Sequence, residues 1–98
     1  MAGRKPRDSE RFRKAFRALG ERIEKLRAER RWTQDDLAER CGMSGTAIGQ
    51  IERAETFMAL ESLFLVASAF GIDAAALIAD LDALVAGPSD FSTTQDQL

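Results

Sequence analysis

Seven residues in the middle of the chain are the candidates for chemistry: Thr33, Gln34, Ser44, Gly45, Thr46, Gln50 and Arg53. Their hydroxyls, carboxamides and guanidinium form directional hydrogen bonds without breaking covalent ones. The spacing places Thr33, Gln34, Ser44, Gly45 and Thr46 at helix starts and Gln50 and Arg53 further along the second of those helices. Thr33-Gln34-Asp35-Asp36 has the capping-box pattern, with Thr33 as N-cap and Asp36 at the third helical position in place of the commoner Glu. Ser44 is an N-cap candidate for the next element. Bond-breaking chemistry has far less to work with. There is no histidine, no tyrosine and a single cysteine, Cys41, so most catalytic triads and metal sites cannot be assembled. Carboxylate pairs remain possible among 16 acidic residues, most of which belong to solvated helix faces. No catalytic residue, metal or cofactor is expected.

The elements that must position these groups are all helical, since no window alternates long enough for a strand. Phe12, Phe16, Leu19, Ile23 and Leu26 fall on one helical stripe, which predicts a helix over 9–30 capped by Asp8 or Ser9. Gly20 lies inside it and admits a bend or break. The second helix follows Thr33, with Leu37, Ala38 and Cys41 inward and Gly42 in the position that favours a left-handed residue. A third over 45–53 buries Ala47, Ile48 and Ile51. A fourth over 59–70 turns Leu60, Leu63, Phe64, Ala67 and Phe70 inward and stops at Gly71. A fifth over 74–86, capped by Asp73, carries Leu77, Ile78, Leu81, Leu84 and Val85 before Gly87-Pro88 ends it. The expected organisation is a flexible basic arm (1–8), one all-α domain of five helices (9–86) and a disordered polar tail (87–98).

The net charge of −2 hides an asymmetry. Residues 1–31 hold 12 basic and five acidic residues, a balance of +7, whereas residues 32–98 hold two basic and 11 acidic, a balance of −9. One end should attract phosphate and the other repel it, or the two halves pair with each other. No run of about 18 apolar residues is present, so no membrane span is expected. The charged N-terminus has no apolar segment suited to a signal peptide, and the expected compartment is the cytoplasm.

Two short capped helices joined by a turn of about three residues make a helix-turn-helix arrangement, in which the second helix enters a DNA major groove by its N-terminal end. The combination Thr33-Gln34-x-x-Leu37-Ala38, Gly42-x-Ser44 and Ile48-x-x-Ile51-Glu52-Arg53, with apolar positions from Leu63 to Leu77, resembles the Cro/C1-type (XRE) family of transcriptional regulators over about residues 19–78. The resemblance implies a lambda-repressor-like helix-turn-helix domain with extended first and last helices. It also implies a double-stranded DNA operator bound by a homodimer, as a repressor or a restriction–modification controller. Gln34 then matches a phosphate contact, helped by the amides of its helix N-terminus. Ser44, Gly45, Thr46 and Gln50 match base-facing and phosphate-facing positions; Gln50 suits adenine, and Thr46 a thymine methyl or a base acceptor. Ser44 is equally explained as a cap. Arg27 and Glu52 match an internal ion pair that braces the first helix against the third.

Departures from that pattern bear on the loop after the third helix. Ala54 stands where the family has Gly, and must take a positive φ or let the helix end differently. Glu55 puts a negative charge where relatives touch phosphate, and Met58 replaces a common Pro. Outside the family core, Phe12 and Phe16 on one side and Leu81, Leu84 and Val85 on the other form apolar stripes. These either meet across a two-fold dimer interface or cover the core of a single chain. No small-molecule ligand is expected. A rival reading is a protein-interaction module of the same fold, of antitoxin or anti-repressor type. The acidic C-terminal portion and a recognition helix poor in long polar side chains favour it.

Overall fold

In the computed structural model the described residues are 6–86, and they form six helices. They are α1 (Pro6–Glu29), α2 (Gln34–Cys41), α3 (Gly45–Glu52), α4 (Leu60–Phe70), α5 (Ala74–Leu77) and α6 (Asp82–Ala86). The tail of residues 87–98 and the first five residues of the basic arm lie outside the description. Pro6 to Asp8 of that arm already belong to α1, which starts three residues earlier than the apolar stripe suggests. Proline suits a first helical position, where its missing N–H costs nothing.

Four helix ends close by the same device. The chain turns left-handed at one residue, whose amide and the next return to carbonyls of the last turn. Gly42 (φ 71°) and Gly71 (φ 74°) do this after α2 and α4. Arg31 (φ 58°) and Ala54 (φ 57°) do it after α1 and α3. Of the two expected alternatives, Ala54 takes the positive φ and closes α3.

The core is built from Leu19 and Ile23 of α1, Leu37, Ala38 and Cys41 of α2, Ile48 and Ile51 of α3, Val66, Ala67 and Phe70 of α4, and Leu77 and Leu81. Helix α1 packs on α3 and α6, and α2 on α3 and α4. Gly20 does not break α1. It lies against the end of α3, where a β-carbon would collide with the Glu52 carbonyl oxygen and sit 2.7 Å from that of Ile51. The glycine lets two helices touch backbone to backbone.

Two other expectations are corrected. The helix over 74–86 breaks after Leu77, because Arg22 of α1 draws the carbonyls of Leu77 (2.8 Å) and Ala79 (3.0 Å) to its Nη1. Asp80 then takes φ 69°, and the chain restarts as α6, which makes six helices rather than five. In α4, Leu60 and Phe64 are 67% and 57% exposed, not inward. The segment Leu63–Val66 is apolar on every side, so periodicity could not choose a face; the one that packs runs through Val66, Ala67 and Phe70.

Candidate nucleic-acid interface

The turn between α2 and α3 is fixed by caps on both sides. Thr33 Oγ1 accepts from the Asp36 amide (3.0 Å), and the Thr33 amide donates to Asp36 Oδ2 (2.8 Å). The Thr33 amide bond, followed by the hydroxyl contact, holds the Asp36 carboxyl below its ordinary pKa. Ser44 Oγ accepts from the Ala47 amide at 3.0 Å. Ile48 and Ile51 pin the inner side of α3 to the core. Thr46, Gln50 and Arg53, spaced by four and three residues, therefore line its exposed outer stripe. The side chains of Thr46 and Gln50 make no hydrogen bond within the described residues, so their polar groups are available to an external partner.

Behind this stripe lies a buried ionic brace. The Glu52 side chain is 1% exposed, and its carboxylate accepts from Arg27 Nε (2.7 Å) and Nη2 (3.0 Å). Arg27 Nη1 donates in turn to the Trp32 carbonyl (2.8 Å), tying the α1–α2 turn into the same network. The hydrogen bond to Glu52 raises the Arg27 pKa above its ordinary value. The third donor to Glu52 is Gln34, through Nε2 at 3.0 Å. The expected phosphate contact is thus held by a structural bond that sequence spacing gave no means of anticipating. Gln34 Oε1 meanwhile lies beside Gly49, where an added β-carbon would stand 3.2 Å from it.

Arg53 extends from the end of α3 back along that helix. Its Nη1 lies over Gly49, 3.0 Å from where a β-carbon would be. Its Nε and Nη2 donate to the two carboxylate oxygens of Glu55, at 2.9 and 3.2 Å. Both side chains are more than half exposed. At the other end of α3, the Asp35 carboxylate occupies the space a Gly45 side chain would fill. Two acids thus sit on the outer face of the motif, one beside each end of α3. The Glu55 charge is legible in the sequence; the Arg53 pairing and the Asp35 contact are not.

A helix-turn-helix family profile matches residues 23–77, which takes in α2, the turn and α3. The chain belongs to the Cro/C1-type helix-turn-helix family of DNA-binding transcriptional regulators. It is also similar to an immunity repressor protein of Bacillus phage phi105, with 29% identity over 79 residues. That alignment covers 81% of this chain and 55% of the phage protein, so the chain spans about half the length of its relative.

The residues expected at a dimer interface divide. Leu81 is buried in the core of the single chain. Phe12, Phe16 and Val85 line an apolar groove of about 320 Å³ together with Leu19, Met58 and Leu63. Leu60 and Ile78 border the same groove and are exposed, as is Leu84 of α6. The Phe57 ring, 4.9 Å from that of Phe16, extends this apolar face. Among the described residues no helix is long and apolar enough to cross a membrane, and no cluster of potential metal ligands is present.

Proposed function

We propose that this helix-turn-helix regulator binds a double-stranded DNA operator as a homodimer and represses transcription from it. The outer stripe of α3 carries the reading: Thr46, Gln50 and Arg53 project from a helix capped at Ser44 and braced from behind by Arg27 and Glu52. Such a helix, entering the major groove by its N-terminal end, offers Gln50 to an adenine edge and Thr46 to a thymine methyl or base acceptor. Thr33 and Gln34 stand at the start of α2, where backbone amides favour a phosphate. Ser44 and Gly45 open α3 at the end that enters the groove, Ser44 as its cap and Gly45 beside the Asp35 carboxylate. The similarity to a phage immunity repressor supports the negative sign of regulation.

Pairing of two chains places two α3 helices about one DNA turn apart. The apolar face of Phe12, Phe16, Val85 and Leu84, widened by Leu60 and Ile78, is the surface we assign to it. The test is titration against DNA upstream of the gene, with a scrambled duplex as competitor and at two salt concentrations. Competitor-resistant binding with a steep salt dependence is expected. Binding abolished by the scrambled duplex favours the protein-interaction reading. Sedimentation at tens of micromolar tests the dimer separately, and a monomer there removes it.

A further inference from the structure

We infer that Glu55 is an internal phosphate mimic that occupies Arg53 in the free protein and must be displaced when DNA is bound, which sets the affinity of the interface. The inference rests on the DNA-binding reading above. A carboxylate bound to Nε and Nη2 of a guanidinium takes the two parallel donors that a phosphate would use. That is the arrangement here, with Glu55 Oε2 at 2.9 Å from Nε and Oε1 at 3.2 Å from Nη2. Arg53 is the basic member of the outer stripe of α3, so the masked cation belongs to the surface that meets the duplex.

The backbone delivers Glu55 to this position. Ala54 turns the chain left-handed, and the Glu55 amide then donates to the Gln50 carbonyl at 2.8 Å. The acid is therefore anchored two residues beyond the arginine it pairs with. Gly49 leaves room for the guanidinium to lie along the helix. The pair is exposed on both sides, so water and salt screen it and a phosphate can replace the carboxylate. A strong non-specific attraction is thereby weakened without removing Arg53 from the site. Because a phosphate contact carries no sequence information, the cost falls on every duplex alike: Glu55 lowers absolute affinity and leaves the ratio of specific to non-specific binding unchanged.

Four proteins test this: wild type, Glu55→Gln, Arg53→Ala and the double variant, each titrated over a salt series with a mixed-sequence duplex. Glu55→Gln is expected to bind roughly fivefold more tightly. Its log–log salt slope should steepen by up to about one, because no freed Glu55 carboxylate then takes up a cation when the phosphate displaces it. In the Arg53→Ala background the same substitution should change affinity less than about twofold, since its target is gone. An equal gain in both backgrounds overturns the inference, because Glu55 then acts only through its general field. Unchanged or weaker binding by Glu55→Gln also overturns it and leaves the DNA-binding reading intact. Failure of all four proteins to bind any duplex removes both.

Discussion

Substituting Arg27 by alanine should be among the most damaging changes in the molecule, and the structure allows its magnitude to be worked out. Glu52 is 1% exposed at its side chain and receives three N–H groups, two from Arg27 and one from Gln34. Arg27→Ala removes both charge-assisted bonds and the bond to the Trp32 carbonyl, and leaves a carboxylate buried with one neutral amide. Breaking one side of a buried pair costs about 3–5 kcal/mol. A domain of this size has roughly 5–15 kcal/mol of stability in total. Each kcal/mol moves the Tm by about 4–8 °C. A fall of at least 12 °C is therefore expected (about three times the lower figure). The assay is urea and thermal unfolding followed by far-UV circular dichroism. The paired change Arg27→Met with Glu52→Met removes the buried charge as well as its partner, so it should recover much of the loss. A loss below about 1 kcal/mol in Arg27→Ala, or a double variant as unstable as the single one, would refute the reasoning.

Other expectations follow from the same geometry. Gly20→Ala should destabilise by about 1–3 kcal/mol in urea unfolding despite the better helix propensity of alanine, because the new methyl meets the carbonyls of Ile51 and Glu52. Ala54→Gly should stabilise by about 1 kcal/mol by relieving a left-handed alanine, seen as a higher Tm. The folded-state pKa of Asp36 is depressed, so its capping contribution is present above the ordinary carboxylate pKa of about 4 and is lost as pH falls through the lowered value. Asp36→Asn should thus be less stable than wild type at neutral pH, and urea midpoints measured along a pH series should converge on acidification. Gln50→Ala should weaken binding to the upstream duplex by about 1–3 kcal/mol in competition titrations, with an unchanged unfolding curve.

What could be read in advance divides along a physical line. The capping box at Thr33 and Asp36, the stop at Gly42 and the Ser44 cap are local features, decided within one helical turn, and all are found. The Arg27–Glu52 pair was accessible through family resemblance, since 25 residues of separation carry no periodic signal. Features set by a distant neighbour were not legible. The break after Leu77 is met by Arg22, 55 residues earlier, and the need for glycine at position 20 comes from the end of α3 packed against it. Gln34 was correctly placed at the start of α2, but its bond to Glu52 is fixed by tertiary packing. In α4 an uninterrupted apolar run concealed which residues face outward, so Leu60 and Phe64 were misplaced.

The outer stripe of α3 has an evolutionary consequence. Glu52 and Gln34 are bound into the brace, and changing either disturbs the scaffold. The side chains of Thr46 and Gln50 carry no hydrogen bond within the described residues, and both residues are exposed. On the proposed function, substitutions there would alter which sequence is preferred while leaving the fold nearly untouched. A lineage of such proteins can diverge in target through a few point changes, without passing through unfolded intermediates. Two copies in one cell could in this way become insulated from each other while sharing almost every core residue.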